Sequence, residues 1–199
     1  MNLPGLSPQD YKMNHKFDIM MSYVESDHIG TSFDYYDLNL CRRSRPASEL
    51  YKMKNFGEAL QIEHWVVSPY SDDHGVMLGK NETCNVLCTA DYSPGTAAKL
   101  EVLATRAYEY KLMVDDLPSA AIFRTSKTST QKNLPEIMYN QGIRLAKWNP
   151  VMKNPDGGYG VPSVYNHLEL VLDYHKDSAN AYRIVGFDVE YKSIDWPEG

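Results

Sequence analysis

The sequence lacks several things, and each absence excludes a class of function. It has no unbroken apolar run of about 18 residues, so no stretch of it reads as a membrane-crossing helix. It has no secretory signal pattern: Met1 leads directly into Asn2-Leu3-Pro4-Gly5, a turn-like start that suggests a piece excised from a longer protein. It has no basic excess, with 20 Lys and Arg against 26 Asp and Glu and a net charge of −6. That balance argues against nucleic acid as the main partner, because a phosphate-binding surface needs clustered cations. It has only three cysteines, too few for a disulfide scaffold or a four-thiolate zinc site. No Gly-x-Ser-x-Gly elbow occurs, and nothing pairs a nucleophile with a histidine.

What is present is a tyrosine-rich pattern of alternation. The chain carries 15 Tyr but only 5 Phe, and its 43% hydrophobic and 23% charged residues are ordinary for a globular protein rather than a disordered one. Tyrosine suits a half-buried pleated surface, with the ring packed and the hydroxyl solvated. Phe17, Ile19, Met21 and Tyr23 share one face of a predicted first strand. Phe33 and Tyr35 lead into Tyr36, Leu38 and Leu40, with the one-residue phase slip of a bulge. Tyr108, Tyr110, Leu112 and Val114 alternate up to the turn Asp115-Asp116-Leu117-Pro118. Leu168, Leu170, Leu172 and Tyr174 alternate with His167, Glu169, Asp173 and His175, and Val185, Phe187, Val189 and Tyr191 form the last set.

Helical spacing occurs at Leu100, Leu103, Ala104 and Ala107 behind Pro94-Gly95, which predicts one main helix near 96–107. Residues 55–61 suit a short turn or helical piece, and 125–162 reads as a long loop-rich excursion. The expected fold is therefore mainly β: one antiparallel, jelly-roll-like β-sandwich over residues 1–199 with one helix and long loops.

The chemistry-bearing candidates are few. Cys84 and Cys88 lack the two-residue spacing of a redox motif. In a strand their Cα atoms would lie roughly 13 Å apart, too far for a disulfide. A turn or helical segment would bring them within reach, at a gain of about 2 kcal/mol for so small a loop. A local Cys84–Cys88 disulfide is the favoured reading, with free thiols or pairing to Cys41 as alternatives. The sequon Asn81-Glu82-Thr83 beside it is a potential glycan acceptor that gains weight from the neighbouring disulfide, since both features need an oxidising lumen. His167 and His175 sit roughly 26 Å apart along a strand, beyond sharing one ion. Asp173 with His175 could offer two ligands, but the solvated polar face of an amphipathic strand is the favoured reading. Gly158-Tyr159-Gly160-Val161-Pro162 reads as a loop rather than a phosphate cradle, because Pro162 blocks a following helix. Asp72-Asp73 and Asp115-Asp116 read as turn residues. Arg42, Arg43, Arg45, Lys52 and Lys54 form a basic cluster that suits a solvated loop or an acidic partner. No catalytic residue, metal site or cofactor is assigned.

Six or seven segments, in order along nearly the whole chain, resemble the N-terminal lumenal region of the nonaspanins, the transmembrane nine superfamily. They are Leu3-Pro4-Gly5 with Pro8, Tyr35-Tyr36-Asp37-Leu38-Asn39-Leu40-Cys41-Arg42, Asn55-Phe56-Gly57-Glu58-Ala59-Leu60, Cys84-Asn85-Val86-Leu87-Cys88 and Val114-Asp115-Asp116-Leu117-Pro118-Ser119-Ala120. Tyr165-Asn166-His167-Leu168 with Tyr174-His175 follows, then Arg183 to Glu190 and Lys192-Ser193-Ile194. Gln61-Ile62-Glu63-His64 and Tyr191 depart from the family pattern. The resemblance implies a non-catalytic lumenal domain of a nine-span membrane protein of Golgi and endosomal membranes or the cell surface. That parent would sort other membrane proteins and serve adhesion and phagocytosis. The implied partners are membrane-protein clients or the protein's own transmembrane part. The alternative is a carbohydrate- or ligand-binding β-sandwich, for which Trp65, Trp148 and Trp196 would be aromatic platforms and a glycan the ligand.

Overall fold

The structure is a computed structural model that describes residues 10–26, 28–38, 40–41, 65–71, 77–79, 94–124, 137–140, 142–153, 157, 159–177 and 181–193. Asn81, Cys84, Cys88, Asp72-Asp73, the basic cluster at 42–54, the segment 55–61 and Trp196 lie outside the described residues. The fold is mainly β, with a single 12-residue helix among the described residues.

Two sheets are built from the same bent strands. β1 (Ile19–Ser22) and β2 (Val24–Ser26) are separated by Tyr23 alone, and β3 (Ile29–Phe33) returns beside β2. β4 (Trp65–Val67) pairs antiparallel with β1. Across from them run β5 (Glu109–Tyr110) and β6 (Leu112–Val114), separated by Lys111 alone. β1 pairs with β6 and β2 with β5, so both chains change sheet at one corner. Ser22 builds that corner. Its backbone N–H donates to the Lys111 carbonyl at 2.9 Å, and its hydroxyl oxygen accepts from the Lys111 N–H at 2.9 Å. The hydroxyl then donates to the Tyr23 carbonyl at 2.8 Å. One side chain thus replaces the ladder bonds that the bend removes. A second buried serine does similar work at the start of β1, where the Ser71 hydroxyl accepts from the Ile19 N–H at 2.7 Å and donates to the Ile19 carbonyl at 2.8 Å.

Asp115 and Asp116 join β6 to β7 (Leu117–Pro118) with φ of 52° and 60°. Two consecutive positive φ values are what a two-residue hairpin turn with right-handed strand twist requires, and short acidic side chains tolerate them. This part of the sequence reading holds. The expected strand through Leu40 does not: Tyr35–Leu38 is a 3-10 turn. The Asp34 carboxylate accepts from the Tyr36 N–H at 2.9 Å, offering the backbone a local bond that competes with strand pairing.

The helix, α1, spans Pro94–Thr105, two residues earlier than the spacing suggested. Proline suits its first position, since that N–H would be unsatisfied anyway. Leu100, Leu103 and Ala104 are buried. Ala107 ends the helix in the left-handed region (φ 52°), and Tyr108 N–H closes back on the Leu103 carbonyl at 3.1 Å.

Residues 125–136 of the excursion expected to be loop-rich lie outside the described residues, and its described part, from Ile137 on, contains strands. β8 (Ala120–Arg124) pairs with β9 (Ile137–Asn140); β10 (Ile143–Arg144) joins β5; and β11 (Ala146–Lys153) pairs with β12 (Tyr159–Val164) in a ribbon that packs on α1. The punctuation residues misled because a two-stranded ribbon has two edges, where Pro150 and Pro162 forfeit no essential bond. Tyr159–Pro162 accordingly lies in β12. Gly160, at φ +102°, leaves room for Trp148, whose ring would lie 2.2 Å from any Cβ there.

The last sheet has the order β13-β14-β8-β9, with β13 (His167–Lys176) and β14 (Tyr182–Lys192) antiparallel and β14 parallel to β8. Its inner side chains, Phe187, Val189, Tyr191 and Ala121, meet Ile19, Met21, Leu112, Val114 and Ile143 in one core, a sandwich-like packing of sheets that are antiparallel except at the β14-β8 pair. The N-terminal segment is bound to this sheet by reciprocal backbone bonds between Tyr11 and Tyr182 at 2.8 and 3.0 Å. The first sheet is buried on both faces: Met20, Trp65, Val67 and Met113 form a second cluster behind it. The alternation rule assigned only one face of β1 to the interior, and Met20 shows the other face covered too.

Two buried serines, each 7% exposed, give a matched test. Ser22→Ala orphans the Lys111 N–H and is expected to lower stability by about 1–3 kcal/mol in chemical denaturation. The Ser119 hydroxyl has no hydrogen-bond partner among the described residues, so Ser119→Ala is expected to be neutral or stabilising by up to about 1 kcal/mol.

Candidate functional site: the outer face of the C-terminal sheet

Exposed chemistry concentrates on the outer face of the β13-β14-β8-β9 sheet. Its register rows can be read directly. One row runs Glu169–Glu190–Ile122–Tyr139, the next Val171–Asp188–Ala120, and the third is Asp173–Gly186 beside the bulged Val185. Tyr139 is 69% exposed, Val185 62% and Val171 42%. Asp173 folds over Gly186, where an added Cβ would lie 3.0 Å from its carboxylate oxygen. The face is bracketed at one end by His167–Lys192 and at the other by His175–Arg183. It is therefore apolar and acidic in the middle and cationic at the ends. Glu169 and Glu190 stand directly opposite one another.

Asp173 and His175 share a face but are two residues apart along an exposed strand. Among the described residues no three His, Cys, Asp or Glu side chains gather closely enough to hold a metal ion. Asp115 receives a hydrogen bond from the Tyr11 hydroxyl, so the acidic turn anchors the N-terminal segment. Asp10 pairs with Arg183 at the same end, and that exposed guanidinium holds the Asp10 carboxyl below its ordinary range. Trp65 is buried beneath the first sheet, and Trp148 is half-buried over Gly160, so neither stands out as a platform. Cys41 is half-buried against the core and is disulfide-bonded.

The feature that residue-by-residue reading missed is a seam of tyrosines inside the sandwich. Tyr36 donates its hydroxyl to the Val67 carbonyl at 2.8 Å. The hydroxyls of Tyr70 and Tyr110 meet at 3.3 Å, and Tyr35 packs against the Tyr36 and Tyr110 rings. Tyr165 and Tyr191 make an edge-to-face pair at 4.8 Å. The excess of Tyr over Phe was the available signal, but alternation alone placed those hydroxyls at the wet surface. Burial raises Tyr70 and Tyr110 well above the ordinary phenol range. Burial likewise raises Tyr191, and pushes Tyr165 up to about 12 with Tyr191 adding to the shift.

The fold and the exposed chemistry define a mainly β module with one helix and a broad, amphipathic outer sheet face. Comparison with known proteins supplies the family. A profile of the Endomembrane protein 70 family matches residues 32–198, and the chain belongs to that family, the nonaspanins, a family of membrane proteins. It is 24% identical over 193 residues to Transmembrane 9 superfamily member 10 of Arabidopsis thaliana, covering 96% of this chain and 28% of that protein. It is 25% identical over 191 residues to Transmembrane 9 superfamily member 3 of Saccharomyces cerevisiae, covering 95% of this chain and 24% of that one. With Transmembrane 9 superfamily member 2 of Mus musculus it shares 23% identity over 212 residues, 96% of this chain and 30% of that protein. The chain thus spans about a quarter to a third of the length of these relatives. No solved structure matches it.

The tyrosine seam sets a pH limit. A phenol whose folded pKa lies above its unfolded value of 10.0 keeps its proton in the folded state after the unfolded chain has lost its own. Above that pH the folded state binds more protons, so stability falls as pH rises. The contribution is fully present below pH 10 and disappears as pH climbs through the raised values. Denaturation midpoints measured from pH 8 to 12 are expected to hold level and then drop above about pH 10. Tyrosinate absorbance should then appear together with loss of the far-ultraviolet signal.

Proposed function

We propose that this chain is the non-catalytic lumenal part of a nine-span membrane protein that sorts other membrane proteins in the Golgi–endosomal system, with adhesion and phagocytosis as linked roles. The observation that carries the reading is the family match across residues 32–198 in a chain that spans only part of its relatives. Those relatives are named as transmembrane superfamily members rather than as enzymes, which agrees with a binding role. Among the described residues no helix is long and apolar enough to cross a membrane, so on this reading the spans lie in the part of the protein that the relatives have in addition. The test is co-purification from cells of the full-length protein with and without residues 1–199. A changed set of bound membrane proteins, or a changed location, is the expected outcome; identical sets and identical location would count against it.

The disulfide at Cys41 supports a lumenal address, since such bonds persist in oxidising compartments. With three cysteines in the chain, the reading that fits is a bond from Cys41 to Cys84 or Cys88 in place of a local Cys84–Cys88 clip. Closing the longer loop is worth about 4 kcal/mol in the chain-entropy model, roughly twice the local one. Asn81, in the same segment, would carry a glycan. Peptide mapping without reduction, after thiol blocking in protein from a secretory host, should join the Cys41 peptide to the one holding Cys84 and Cys88. An internal Cys84–Cys88 link with Cys41 blocked would refute the long-range bond, and an unmodified Asn81 would remove the glycan.

A further inference from the structure

We propose, resting on the interaction-domain reading above, that the outer face of the β13-β14-β8-β9 sheet docks a basic amphipathic polypeptide segment of another protein, one that presents Lys or Arg beside apolar side chains. Two observations meet there. Of the six large hydrophobic side chains most exposed among the described residues, Met13, Val102, Tyr139, Val171, Tyr174 and Val185, three stand on this one face. Tyr139 lies directly across from Ile122, and Val171 lies on the far side of β14, so apolar groups flank the central strand on both sides. A solvated sheet face ordinarily alternates toward polar residues, and concentrated apolar groups on it mark a contact surface.

The charge selects the occupant. The three middle rows hold Glu169, Asp173, Asp188 and Glu190, two of them on the central strand between the apolar flanks. Among the described side chains, the Lys and Arg of the face, Lys192 and Arg183, sit in the outermost rows, and Arg183 is engaged with Asp10. A second copy of the chain would set these carboxylates against each other, which like-charge repulsion disfavours. An anionic membrane surface would be repelled in the same way. A segment with Lys or Arg among its apolar residues satisfies both halves: its apolar groups cover Tyr139, Ile122 and Val171, and its cations meet the carboxylates of the middle rows. Long basic side chains are suited to this, because their methylene stems lie over apolar groups while their heads reach the carboxylates.

The test uses the 199-residue chain with two fluorescent 12-residue peptides, one repeating Lys-Leu-Leu-Lys and one with Glu in place of Lys. Anisotropy should show binding of the lysine peptide alone, weakening on passing from low to high salt as exposed charge pairs are screened. Tyr139→Ser, and separately the pair Glu169→Gln with Glu190→Gln, should each weaken it by about tenfold or more, the scale of one lost anchor. Unchanged circular dichroism and melting temperature exclude misfolding at these surface positions. Equal binding of both peptides, no binding of either, affinity unmoved by the variants, or self-association through this face in sedimentation would each overturn the proposal. If it fails while deletion of residues 1–199 still alters the co-purified set, the face is wrong and the interaction-domain reading stands.

Discussion

The bend at Ser22 and Lys111 is the constraint on which the rest of the sandwich depends. At that point two antiparallel strands leave one sheet and enter another together, and a ladder cannot continue through such a corner without losing backbone bonds. A single hydroxyl restores them, accepting one bond and donating another while remaining nearly buried. Because β1-β2 and β6-β5 turn at one place, the first sheet can present Ile19, Met21, Leu112 and Val114 to the core, while the second folds Val24, Tyr110 and Ile143 over the same space. The third sheet then closes the remaining side with Phe187, Val189 and Tyr191.

Closing a sandwich around bent strands leaves gaps that aliphatic side chains fill poorly, and tyrosine is used there. Its ring supplies area, and its hydroxyl can reach a carbonyl, another phenol or a threonine. Tyr36 on Val67, Tyr70 with Tyr110, and Tyr108 with Thr31 at 2.9 Å each do so. The same economy separates inside from outside on the last sheet. The alternate residues of β13 and β14 that face away from the seam carry carboxylates and exposed aliphatics, and that division creates the outer face.

Much of this was legible in the sequence. Period-two alternation found β13 and β14, helical spacing found α1 to within two residues, and Asp115-Asp116 announced a hairpin turn whose positive φ values follow from strand twist. Two features were hidden because they are decided by pairing rather than by composition. Asn149-Pro150 and Gly160-Val161-Pro162 look like loop punctuation, yet a two-stranded ribbon against α1 tolerates them. Tyr35–Leu38 looks like a strand, yet the Asp34 side chain accepts a local bond from the Tyr36 N–H. The outer face was half visible: the polar partners of Leu168, Leu170 and Leu172 were evident, but not that Ile122 and Tyr139 would stand in register beside them.

By itself the sequence determined the fold class, the positions of the helix and the long final strands, and the family, because these rest on local periodicity and on short motifs in a fixed order. Tertiary structure alone decided which strands became neighbours, that Met20 and Trp65 bury a second face of the first sheet, that tyrosine hydroxyls meet inside, and that carboxylates and apolar side chains from four strands share one surface. The reason is physical. Alternation says which side of a strand is apolar, but only the register between strands far apart in sequence says what each side chain meets.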